Sequence, residues 1–213
     1  MKLTKEEQEK IKLAVQDLEK ESSGELVLYL AKNSSDYQAG KWILSSLCGG
    51  LFGISLAVMS YLWLLPEGIT VFSIGIGILL VMILGFTLGW VSPKLRSSLL
   101  GGKYMLNKVM SKARVVFLEK EVFQTVDRTG ILIYISVLEH QVVVLGDTGI
   151  SSVVKPEQWE NVVSHITSGI KQKAICGGIL NAIADCKKLL LESKFDVKPD
   201  DKNELPDEIT IES

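Results

Sequence analysis

Six residues carry side chains that could act together on a phosphate: Glu25, Asp127, Arg128, Thr129, Asp147 and Thr148. Carboxylate oxygens from Glu25, Asp127 and Asp147 suit a hard cation such as Ca2+ or Mg2+. Arg128 would orient an anion beside Thr129 and Thr148. A metal held among them would polarise a phosphoryl group and lower the pKa of a water nucleophile, which is the chemistry of a weak phosphomonoesterase. Against this stands an ordinary use, because Asp, Thr and Gly beside strands are common turn and cap residues.

Sheet topology decides whether the six can meet. "ILIYISV", Ile131 to Val137, reads as a strand covered on both faces, and a tight turn from Leu138 to Gln141 leads into "VVVLG", making a hairpin. The second arm ends near Asp147, at the edge where the first began. Glu25 to Ala31 also reads as a strand; if it runs parallel to the Ile131 strand, Glu25 starts at that same end. Asp36 follows the opposite end of the first strand and stays outside the set.

Other chemistry finds little support. No P-loop, G-x-S-x-G, H-E-x-x-H or paired C-x-x-C occurs, so no catalytic nucleophile or base is assigned. His140 falls in the hairpin turn and His165 beside the apolar face of its helix, as surface or rim residues. Cys48, Cys176 and Cys186 have apolar neighbours and no paired spacing, which fits a reducing compartment. A net charge of −2 offers nucleic acid no basic face.

Helices must complete the core. Thr4 and Glu7 have capping-box spacing ahead of an apolar face of Ile11, Ala14, Val15 and Leu18. Leu106, Val109, Met110, Ala113, Val116 and Phe117 keep helical spacing later in the chain. Pro156 opens a helix with Trp159, Val162, Val163, Ile166 and Ile170 inward, and Ile175 to Leu190 form another.

Between the first strand and its partners lies a different solvent. Trp42 to Pro66 gives 25 residues without a formal charge, and Gly68 to Pro93 another 26. Each exceeds the roughly 20 residues needed to cross a hydrocarbon core of about 30 Å. The spans are therefore assigned to residues 41–66 and 68–92, joined by the short connector "PEG". Lys94, Arg96, Lys103, Lys108, Lys112 and Arg114 follow the second span and Lys32 and Lys41 precede the first, while the connector has no Lys or Arg. The positive-inside rule then sets a multi-pass protein of the inner (cytoplasmic) membrane, with both termini and the α/β domain in the cytoplasm.

Small residues at four-residue spacing line each span: Ser45, Gly49, Gly53 and Ala57 in one, Ser73, Gly77, Gly85 and Gly89 in the other, with Val81 interrupting. They suit close helix packing within the hairpin, or a homodimer built on the same stripe. An even number of crossings returns the chain to its starting side, so residues 1–40 and 93–195 are expected to form one discontinuous domain. Residues 196–213 are acidic and expected to be disordered, although "ITI" could add to a partner's sheet edge.

"SSGELVLYLAKNSSDY", "RTGILIYISVLEHQVVVLGDTGI", the helix around Trp159 and the terminal "NELPD" together resemble the TPM domain family, and its bacterial branch with two membrane helices placed inside the domain. The resemblance implies a three-layer α/β/α sandwich with a small mixed sheet, here interrupted by a transmembrane hairpin. It implies two kinds of function: a non-catalytic factor for assembly or maintenance of a membrane protein complex, or a weak phosphatase with divalent-cation binding. A LemA-type membrane protein is one candidate partner that it implies.

Overall fold

The computed structural model describes residues 3–66, 68–197 and 203–212. It divides into two compact units, Met1–Ser35 with Leu106–Ser213, and Asp36–Met105. The first extends less far toward the hairpin than the expected 1–40 and 93–195.

In the first unit, α1 (Lys5–Glu21) starts at a complete capping box: Glu7 N donates to Thr4 Oγ1 at 3.2 Å, and Thr4 N to Glu7 Oε2 at 2.7 Å. Its apolar face buries Ile11, Val15 and Leu18 fully. β1 (Glu25–Ala31) follows, with all seven residues buried. α5 (Gly102–Glu119) begins in the other unit and carries the chain back to β2 (Gly130–Ser136) and β3 (Gln141–Gly146).

The sheet order is β3-β2-β1-β4. β1 and β2 are parallel, with Glu25 opposite Gly130 and Ala31 opposite Ser136. β2 and β3 form the expected antiparallel hairpin. Since β1 and β2 are covered on both faces, they read as continuous apolar runs rather than alternating ones.

Two cores flank the sheet. Leu26, Leu28, Leu30, Ile131, Ile133 and Ile135 pack with α1, α7 (Glu160–Lys171) and α8 (Ile175–Glu192). Val27, Tyr29, Leu132 and Tyr134 pack with Val109, Ala113 and Val116 of α5. The protein is thus an α/β/α sandwich with a mixed sheet.

Two short elements add to those expected. The segment after β3 is a short helix, α6 (Thr148–Val153), capped by Asp147. Pro156 opens a single 3-10 turn, Pro156–Trp159, before α7 starts.

A larger correction concerns the tail. Expected to be disordered, its residues 203–212 instead dock: Leu205 and Ile209 are buried, and β4 (Thr210–Ile211) pairs parallel to β1. "ITI" thus extends this chain's own sheet, because β1 would otherwise present an open edge. Lys198 and Lys202 lie outside the described residues.

The second unit holds α2 (Gln38–Tyr61), α3 (Val71–Val91) and α4 (Pro93–Ser98). α2 and α3 are both long and apolar enough to cross a membrane. Their connection is longer than "PEG", since Pro66 disfavours helix before it and α3 waits for its cap at Thr70.

The glycine stripes face larger residues of the neighbouring helix inside this hairpin. A Cβ on Gly85 would lie 3.1 Å from Leu44 O and from Cys48 Cβ, and one on Gly89 would lie 3.1 Å from Lys41 Cα. At Gly49 it would clash with Met82 Cγ, and at Gly77 it would lie 3.2 Å from Phe52. Gly53 has ordinary room, its nearest neighbour Ile78 being 3.7 Å away. Ser45 Oγ donates to Met82 O at 2.8 Å across the pair. Ser73 instead completes the cap of α3 with Thr70.

Candidate functional site

At the amino end of the parallel strands, the turn Thr125–Thr129 brings Arg128 to Asp147. Arg128 Nε lies 2.8 Å from Asp147 Oδ2, and its hydrogen points toward Thr148 Oγ1 at 3.5 Å. Oδ2 therefore has an ionic neighbour without a directed hydrogen bond. Asp147 Oδ1 accepts from Thr148 N at 2.7 Å, which starts α6. Arg128 is also fixed by donating from Nη1 to Phe123 O at 3.0 Å and by stacking over that ring. Its backbone takes the left-handed conformation, φ 59°. Gly149 permits the turn to sit there, since a Cβ would lie 2.7 Å from the carbonyl oxygens of both Asp127 and Arg128.

Arg128, Asp147 and Thr148 thus lie together. Thr129 is buried, its amide donating to Thr125 Oγ1 at 2.9 Å. Asp127 sits exposed on the turn. Glu25 is drawn toward β4, accepting from Glu204 N and Leu205 N at 3.3 Å each. Among the described residues, no three His, Cys, Asp or Glu side chains are placed to hold a metal ion. Glu25, Asp127 and Asp147 therefore do not fit a Ca2+ or Mg2+ site, because the docked tail claims one of the carboxylates.

The opposite end of the sheet carries a hydroxyl–carboxylate network that sequence reasoning missed. Ser136 Oγ donates to Glu139 Oε2, and Ser34 N donates to Glu139 Oε1 at 2.9 Å. Ser34 Oγ lies 2.8 Å from Ser136 Oγ and 3.0 Å from Tyr134 Oη. Val137 N and Leu138 N donate to Ala31 O and Lys32 O, extending the β1–β2 ladder into this corner. Burial pushes the Tyr134 phenol up to about 12, against the opposing pull of its Ser34 bond. Open α/β sheets bind ligands beyond the carboxyl ends of their parallel strands. Ser136 is fully buried, however, and the arrangement acts as a clamp on the chain leaving β1. The available signal was "NSS" after one apolar run and "SVLE" after the next, at equal register on parallel strands.

A third polar cluster lines a cleft of about 400 Å3 between α1, β1 and the tail, formed by Gln16, Glu19, Lys20, Glu25, Val197, Asn203 and Asp207. Burial pushes Glu19 up to about 8, with help from Glu25 and Asp207. Asp207 is held below its usual range: burial raises it, but bonds from Asn203, Gln16 and Glu19 outweigh that effect.

The segment from α5 through α8, which carries both the Arg128–Asp147 pair and the Ser136–Glu139 corner, has a counterpart among known families. Residues 106–189 match the model of the TPM domain. Over that segment the chain is similar to the TPM domain family. The BA42 protein of the psychrophilic bacterium Bizionia argentinensis, solved by NMR, has a similar fold, with a TM-score of 0.59 and 22% identity. That likeness covers 100% of this chain and 97% of the other. No curated protein matches the chain by sequence. β1 and the docked tail lie outside the matched TPM segment.

Proposed function

We propose that this TPM-domain protein is a membrane-anchored, non-catalytic factor that assists assembly or maintenance of a membrane protein complex. The observation carrying this reading is the outward surface of α2 and α3. Around the glycine seam the two helices expose Trp42, Leu51, Ile54, Leu79, Leu80, Ile83 and Leu84. An apolar surface of this extent calls for lipid or a membrane protein as its neighbour. At about 1.5 Å per residue, 24 and 21 helical residues match a hydrocarbon thickness of about 30 Å.

Orientation follows from charge. The Lys and Arg residues from Lys94 to Arg114, set against a connector without any, support an inner-membrane hairpin with the TPM domain in the cytoplasm. A LemA-like membrane protein is one candidate partner. Affinity purification in mild detergent should recover a stoichiometric membrane protein with the full chain, and recovery of monomer alone across detergents would overturn the proposal.

A weak phosphomonoesterase is the second reading, favoured by Arg128 beside Thr148 and Asp147. It predicts hydrolysis of an aryl phosphate that Asp147→Ala abolishes, with Ca2+ or Mg2+ added and omitted. Equal rates in both proteins would remove it.

A further inference from the structure

The sheet has two edges, and this chain covers one of them. On the β1 side the tail supplies β4, with Glu212 N donating to Leu30 O at 2.9 Å and Leu205 entering the core beneath α5. Glu212 also pairs with Lys112 of α5 at 3.3 Å. An extended apolar segment with a flanking carboxylate is thus how the domain closes that edge. On the other side β3 is the last strand.

Pairing with β2 fixes which groups of β3 point away from the sheet. Asp147 N donates to Gly130 O, so in the antiparallel register Leu145 and Val143 also turn their backbone groups inward, facing Leu132 and Tyr134. Val142 and Val144 then direct N–H and C=O outward, and no backbone group among the described residues meets them there. Gly146 points outward too, but its carbonyl accepts from Ser151 Oγ at 2.8 Å. Proteins ordinarily guard such an edge with charge, proline or a bulge. "QVVVLG" has no charge and no proline, and its pairing with β2 runs without a bulge.

Beside this edge, α5 and β3 border a depression of about 330 Å3 lined by Arg114, Phe117, Leu118, Leu145 and Gly146. Leu118 is 62% exposed. Arg114 is exposed as well, and no ion pair engages it among the described residues. It lies two residues from Lys112, hence about 200° around the helix. α5 therefore holds one cation toward each edge of the sheet: Lys112, occupied by Glu212, and Arg114, beside β3.

We propose that the outer edge of β3 docks an extended segment of a partner protein, apolar with a flanking Asp or Glu, which adds as a further strand. Its backbone pairs with Val142 and Val144, an apolar side chain fills the depression against Leu118 and Leu145, and its carboxylate pairs with Arg114. Main-chain bonds supply affinity, while the depression and the arginine supply choice. A second copy of this chain suits the site less well. Its own β3 brings no carboxylate, and the flanking Glu139 and Asp147 are engaged by Ser136 and Arg128. The inference goes beyond the accessory-factor reading, because it concerns the sheet rather than the apolar hairpin and stands whether or not a membrane partner is recovered.

The test screens a library of random nine-residue peptides against the full chain in nanodiscs. Peptides that alternate apolar and polar residues and carry Asp or Glu should be enriched. A selected peptide at saturation should slow hydrogen exchange at the Val142 and Val144 amides. Arg114→Glu and Val144→Pro should each weaken its binding by about tenfold or more, while Val144→Ile, which keeps the N–H, should bind as the parent does. The proline removes an N–H that faces away from β2, so the β2–β3 ladder keeps its bonds, and Arg114→Glu probes the same site from an exposed helix position. No enrichment over the unselected pool, or a selected peptide indifferent to both changes, would overturn the site. A parent chain that is dimeric in detergent and monomeric as Val144→Pro would put a second copy on the edge and overturn the proposal equally.

Discussion

Leu205 and Ile209, four residues apart in the tail, are buried on opposite faces of the sheet. Leu205 enters the core beneath α5, and Ile209 the core beneath α1 and α8. The tail therefore wraps the β1 edge rather than lying along it. Leu205→Ala and Ile209→Ala should each cost about 1–3 kcal/mol, less than for a central core leucine because an edge segment can yield. Their double variant should cost less than the sum, since a released tail has no more to lose. Urea unfolding followed by far-UV circular dichroism checks both values.

Glu139 accepts from the buried Ser136 hydroxyl and from the half-buried Ser34 amide. Glu139→Ala should cost about 1–3 kcal/mol by orphaning them, and Tyr134→Phe about 0.5–1.5 kcal/mol by removing one hydroxyl bond. Equilibrium denaturation gives the comparison. A Glu139→Ala protein as stable as the parent would show that water replaces the carboxylate.

The hairpin seam makes a positional prediction. Gly85→Val pushes a branched side chain against Leu44 O and Cys48 and should destabilise the pair by about 1–3 kcal/mol. Gly75→Ala, with nothing within 4 Å of the added methyl, should be neutral or slightly favourable. Unfolding by SDS titration in mixed micelles separates the two.

Lys173 and Lys194 follow α7 and α8 with φ 59° and 62°, a left-handed conformation that lysine enters at a cost. At the α8 end, Phe195 N still reaches Leu190 O at 3.1 Å. Lys194→Gly should stabilise the protein by about 0.5–1 kcal/mol, and Lys173→Gly similarly. Thermal or urea midpoints should rise, and a fall would mean that the lysine stems pack usefully.

These results also mark where sequence reasoning carries and where it stops. β1 and β2 were legible because both are unbroken apolar runs, and their parallel pairing fits the long crossover between them. The capping box at Thr4 was legible because it is local. Glu25 stands at the expected end of β1, opposite Gly130, but its side-chain partners escaped notice because Leu205 lies 180 residues away in an acidic segment whose composition signals disorder. Composition averages over a stretch, whereas docking of 203–212 turns on two apolar side chains and a few directed bonds. The Ser34–Glu139 corner escaped notice because single serines carry no periodicity, and only the strand register brings them together.

Strand β1 has one consequence for how the chain is made. Glu25 pairs with Gly130, 105 residues later. At roughly 5–20 residues per second of synthesis, β1 leaves the ribosome about 5–20 seconds before its neighbour exists. For that interval a seven-residue apolar strand has both edges unsatisfied while α2 and α3 emerge behind it. Such a strand suits a holding chaperone, and ribosomes stalled before residue 130 should display β1 as a binding site for such a factor.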